Sequence, residues 1–183
     1  VEKVLRVEED PWKIRKVKKL RLLLFEECNR SCLGCCNNDW DLDNLEVCKS
    51  FEGYNEISLT GGEPMLWPDV VIDAAYKIRN SCRAKIWLYT AMVENLHATI
   101  QVLWVVDGIC VTLHEQSDVG PWKRFSDLLS DGRFYRGKSM RLNVFKGVDV
   151  RDVPSWWKVK SNIEWISNCP LPENESFMRY QPR

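Results

Sequence analysis

The chain of 183 residues has no apolar run near the roughly 20 residues that a membrane-spanning helix needs, so no transmembrane segment is expected. It also lacks net charge. Its 26 Lys and Arg balance 26 Asp and Glu, which removes any overall pull toward nucleic acid or an anionic membrane. No internal repeat, low-complexity stretch or shift in composition divides the chain. One domain over residues 1–183 is expected, with a basic lead-in at 1–18 and an irregular tail at 167–183. The first residues, VEKVLRVEED, have none of the apolar core of an export signal, and a cytoplasmic protein is expected.

Apolar residues make up 45% of the chain, as in ordinary globular proteins. Eight cysteines would read as disulfides in a small secreted domain, but a chain of this size can build a core without such staples. Clustered thiols then point to metal. The cationic run Lys13, Arg15, Lys16, Lys18, Lys19, Arg21 reads as a solvated lead-in to the first strand. Nine tryptophans imply broad flat packing surfaces or an exposed aromatic contact region.

Strand-like and helix-like patterns alternate. Strands are expected at 19–26, 56–60, 84–90, 108–114, 140–145 and 162–166. Helices are expected at 43–51, 68–79, 93–104 and 121–129, with one helical turn within 153–160. Such alternation predicts an α/β fold with a parallel sheet and crossover helices. Six βα units fit this length only as a partial (βα)6 TIM-like barrel, because a full eightfold barrel needs about 250 residues. Functional residues then belong at the carboxyl ends of the strands.

Two motifs fall at such ends. Cys28, Cys32 and Cys35 follow the first strand with the spacing C-x-x-x-C-x-x-C. Three thiolates on a short loop can converge on one soft-metal site, and three ligands leave one iron of a four-iron cluster open. Cys36 offers an alternative third position. Gly61-Gly62-Glu63-Pro64 follows the second strand. Its glycines would let a ligand approach the backbone closely, and its carboxylate sits on a stiffened turn. At later strand ends His114 is the candidate catalytic residue and a cofactor contact, with Thr90 and Asn143 as further cofactor contacts. Cys48, Cys82, Cys110 and Cys169 show no second clustered spacing and read as small buried apolar side chains.

The two motifs together resemble those of the radical S-adenosylmethionine (radical SAM) enzymes, and the strand-helix alternation extends the likeness over residues 19–166. The resemblance implies that Cys28, Cys32 and Cys35 hold a [4Fe–4S] cluster, and that Gly61, Gly62, Glu63 and Pro64 form the site for the SAM amino group. It further implies reductive cleavage of SAM to a 5′-deoxyadenosyl radical that abstracts hydrogen from a substrate. An electron donor of flavodoxin or ferredoxin type would be the partner. The family commonly has an aromatic residue just before the third cysteine, where this chain has Gly34.

Within the family, the order Cys32-Leu33-Gly34-Cys35-Cys36-Asn37 is similar to the activases of glycyl radical enzymes, whose partner is such an enzyme. The strand end Leu59-Thr60-Gly61-Gly62-Glu63-Pro64 is equally similar to the 7-carboxy-7-deazaguanine synthases. Their magnesium-site threonine is replaced here by Asn37 and Asn38. A structural zinc module is the reading from another class. It would require Cys36, Cys48 or a distant histidine as a fourth ligand.

Overall fold

A computed structural model describes residues 17–133, 136–166 and 168–182. Most of the expected basic lead-in, including Lys13, Arg15 and Lys16, lies outside the described residues. The elements run β1 (Lys19–Leu23), β2 (Glu56–Thr60), α1 (Pro68–Ser81), β3 (Lys85–Thr90), α2 (Leu96–Val105), β4 (Gly108–Leu113), α3 (Val119–Leu128), β5 (Ser139–Phe145), β6 (Trp157–Ile163) and β7 (Glu175–Arg179). All seven strands pair in parallel, in the order β6-β5-β4-β3-β2-β1-β7.

From β1 to β6 each strand is laid on the same side of its predecessor. Right-handed crossovers then put the three helices on one face of the sheet. That face is apolar: Leu20, Leu22, Ile57, Leu59, Ile86, Leu88, Ile109, Val111, Leu142 and Val144 are buried in one core. Helix α1 contributes Val71, Ala74, Ala75 and Ile78, spaced i, i+3, i+4, i+7, and begins with Pro68 where a missing N–H costs nothing. Helix α2 is capped by Asn95, whose side chain accepts from Ala98 N, and α3 lays Trp122 and Phe125 against the core.

The opposite face carries Arg21, Ser58, Trp87, Tyr89, Cys110, Thr112, Arg141 and Asn143 by strand alternation. A parallel sheet normally has both faces covered by apolar packing. Here the second face is a polar surface on which side chains from different strands meet: the Arg141 guanidinium on β5 lies 3.8 Å over the Trp87 ring on β3.

Several expectations need correction. Six βα units are not found: among the described residues three α-helices accompany seven strands. Residues 43–51 are not helical, because their backbone bonds run to β7: Cys48 N donates to Arg179 O and Arg179 N donates to Glu46 O. Residues 153–160 hold one hydrogen-bonded turn, Trp157 N to Pro154 O at 3.0 Å, and no helix. Trp157 instead opens β6, which ends at Ile163 and not at 166. The tail expected to be irregular supplies β7, inserted beside β1. No helix among the described residues is long and apolar enough to cross a membrane.

Candidate functional site

The cysteine loop and the Gly-Gly turn leave adjacent parallel strands and continue side by side. Leu24 N donates to Thr60 O, Gly62 N to Phe25 O, and Glu63 N to Glu27 O, the last two at 2.9 Å. This contact explains the glycines. A Cβ at Gly61 would lie 2.6 Å from Phe25 O, and one at Gly62 only 1.9 Å from Glu27 O. The expected role is room for a ligand; the contact seen at both positions is with the neighbouring backbone. A fourth tie comes from Asn37, whose Nδ2 donates to Gly61 O at 2.9 Å.

Glu63 is almost fully buried. Its Oε1 accepts from Met65 N (3.0 Å) and Thr90 Oγ1 (2.5 Å), and Oε2 accepts from Ala91 N (2.8 Å). Burial pushes this carboxyl above its ordinary range, against the pull of those hydrogen bonds. Three donors already occupy the group, so its main work is to lock the end of β2 to the end of β3. Thr90 is the other half of that lock and also accepts from Met92 N at 2.9 Å. Pro64 opens the short 3-10 turn that follows.

Cys28, Cys32 and Cys35 line a cavity of ≈ 250 Å³ together with Gly61, Gly62, Glu63, Tyr89, Thr90, Thr112, His114 and Trp165. The same three cysteines line an adjoining cleft of ≈ 520 Å³ with Arg30, Asn37 and Gly62. A cleft of ≈ 490 Å³ at Cys48, Lys77 and Tyr180 is as large but gathers no such set of thiols. Burial raises the Cys32 thiol, and negative charge on Cys35 and Cys28 raises it further, with Arg30 opposing. The three sulfurs are therefore electrostatic neighbours. Cys36 also borders the smaller cavity, but its thiol is hydrogen-bonded to Cys169. Burial and that bond push it up to about 12.

The loop is anchored by Arg30. Its Nη1 and Nη2 donate to the Asp118 carboxylate at 3.1 and 2.5 Å, and Nη2 reaches Ala91 O at 3.4 Å. Asp118 also accepts from His114 N and Glu115 N. Burial raises this carboxyl, but the bonds from Arg30 and from those amides win and hold it below the usual carboxylate range. His114 follows β4, with its ring parallel to Trp165 (centroids 5.2 Å, interplanar 4°) and beside Phe145. Burial first, then Arg30, lowers its pKa, so the ring is neutral at pH 7.

Trp165 comes from the segment linking β6 to β7. This segment passes over the strand ends, where Cys169 N donates to Asp39 Oδ2 at 3.0 Å. Its indole rests on Gly34: a Cβ there would lie 2.5 Å from Trp165 Cγ. Gly34 is thus covered by an aromatic side chain about 130 residues further on. Nothing local in the sequence marks Trp165 or the Arg30–Asp118 pair, and the motif that contains Asn37 does not reveal its bond to Gly61. Asn143, expected near the cofactor, lies lower on the polar face and donates to Cys110 Sγ at 3.2 Å.

The donor set suits a soft metal. Three free thiols share one cavity. Arg30 Nε and His114 Nδ1, two residues that border it, are buried without a hydrogen-bond partner. Among the described residues no three His, Cys, Asp or Glu side chains are already drawn together to hold a metal ion, so the thiols would have to close around a cluster as it binds. No protein-family model matches the chain, and no curated protein matches it.

Proposed function

We propose that this chain is a radical SAM enzyme on a partial TIM-like barrel, with a [4Fe–4S] cluster held by Cys28, Cys32 and Cys35. One observation carries the reading: those three thiols and the Gly61-Gly62-Glu63 turn border a single cavity at the carboxyl ends of β1 and β2. The polar second face of the parallel sheet supports a barrel interior. A reduced cluster would supply the electron that cleaves SAM, delivered by a flavodoxin- or ferredoxin-like donor.

The protein's own contribution is position. Glu63 and Thr90 fix the Gly-Gly turn, whose backbone faces the space where the SAM amino group would lie. Asn37 holds that turn against the cysteine loop, and the Arg30–Asp118 pair holds the loop against β4. Trp165 and His114 form an aromatic wall that limits water on the far side.

Anaerobic reconstitution with iron and sulfide, followed by dithionite and SAM, tests the reading. Brown protein with about four irons and release of 5′-deoxyadenosine are expected. Cys32→Ala and Cys35→Ser should lose both. Cys36→Ser should keep both, since its thiol is engaged with Cys169. Colourless protein with about one zinc and no 5′-deoxyadenosine overturns it.

A further inference from the structure

Arg141 is the third residue of β5, an inner strand, and its side chain lies on the polar face of the sheet. Its guanidinium sits 3.8 Å over the Trp87 ring and acts on the Tyr89 hydroxyl. No Asp or Glu among the described residues pairs with it. Arg21, on the same face, shows the contrast: Glu175 neutralises it at 2.8 Å. A half-buried guanidinium without a counter-charge is costly, and such groups are normally paired. Here the plane of the fork is fixed by stacking while its N–H edge has no carboxylate to meet.

A second cation faces the same place. Lys160 on β6 is the register partner of Asn143, and Lys158 that of Arg141, so both lysines share the face. Arg141 and Lys160 both act on the Cys110 thiol of the neighbouring β4. Glu175 also acts on Tyr89, but its carboxylate is held by Arg21. Lysines on an edge strand can serve to discourage edge pairing. That explains Lys158 and Lys160 but not an unpaired arginine on an inner strand.

We propose that Arg141 and Lys160, flanked by Tyr89 and Asn143, form a binding site for the carboxylate or phosphate group of a small substrate. The site adjoins the cysteine cavity: Tyr89 and Thr112 border that cavity, Tyr89 is the register partner of Cys110, and Thr112 is that of Asn143. A small organic acid or phosphate ester anchored there extends past Tyr89 toward the thiols. This favours a small anionic substrate over a neutral glycyl loop of a partner protein. Calling the anion a substrate rests on the function proposed above, whereas the anion site itself does not.

Calorimetric titration of the full chain at low ionic strength tests it, with inorganic phosphate in one arm and succinate in the other, and tryptophan fluorescence as a second readout of Trp87. Saturable binding of at least one probe is expected. Arg141→Gln should weaken it about tenfold or more, and the exposed Lys160→Gln by at least about threefold, with unchanged circular dichroism. Lys123→Gln, on the exposed side of α3, should bind as wild type does. Preference for phosphate assigns a phosphate ester, and preference for succinate a carboxylic acid. Absence of saturable binding by either probe, or equal affinity in the Arg141→Gln and Lys160→Gln proteins, overturns the proposal. Loss of iron binding or of SAM cleavage bears only on the preceding reading, because this titration needs neither.

Discussion

A methyl group on residue 62 would meet a carbonyl oxygen of the neighbouring backbone at 1.9 Å, an overlap that no side-chain rotation can relieve. Gly62→Ala must therefore separate the cysteine loop from the Gly-Gly turn. We expect a loss of about 1–3 kcal/mol in urea unfolding, the usual scale for overpacking, and, on the function proposed above, weaker iron retention after reconstitution. His114 gives a different signature. Its pKa is lowered in the folded protein, so the unfolded chain binds the proton more readily. The stability it contributes is present above its unfolded pKa near 6.5 and is lost as pH falls through the lower folded value. Urea midpoints of wild type should drop between about pH 7.5 and pH 5.5, and His114→Asn should flatten that part of the profile. An unchanged slope in the variant would remove His114 as the source.

Among the elements, the segment between β6 and β7 gives the site its far wall. Trp165 reaches Gly34, and Cys169 reaches Asp39, so the segment is fastened at two points over the strand ends. Trp165→Ala should leave the core intact and expose the cysteine loop. The expected result is faster alkylation of Cys32 and Cys35 by iodoacetamide, read by mass spectrometry of peptides, with a melting temperature close to wild type. Equal alkylation rates would show that Trp165 covers nothing. This segment also marks where sequence reading stopped. Strands β2 and β5 were legible because Ile57, Leu59, Met140, Leu142 and Val144 alternate cleanly with polar neighbours. Strand β6 was not, since Lys158 to Asn162 are exposed and only Trp157 is buried. The 43–51 segment has helix-forming composition, but its backbone partners lie near residue 179, which no local pattern reveals. For the site, spacing alone marked the cysteines and the Gly-Gly turn. The Arg30–Asp118 pair joins residues 88 positions apart and is visible only in three dimensions.

For the molecule as a whole, the insertion of β7 beside β1 closes one edge of the sheet. The 43–48 segment then covers the outer side of β7 through the Val47–Arg179 bridge. Arg179 adds bonds to Asp43 O and Glu26 Oε1, so one residue near the end of the chain holds both limbs of the cysteine loop. Deleting residues 175–183 should leave β1 with an unpaired edge and the loop without its anchor. The expected outcome is a self-associating protein that unfolds over a broad range, seen by size-exclusion chromatography and circular dichroism. A monomer that unfolds sharply would mean β7 is dispensable.

The same arrangement sets an order of events during synthesis. The strand that steadies the cysteine loop is translated roughly 140 residues after the cysteines themselves. At ordinary elongation rates that is on the order of ten to thirty seconds. Throughout that interval the nascent chain carries reactive thiols on an unsupported loop beside an open strand edge. On the function proposed above, a cluster would therefore be loaded only after β7 has been made.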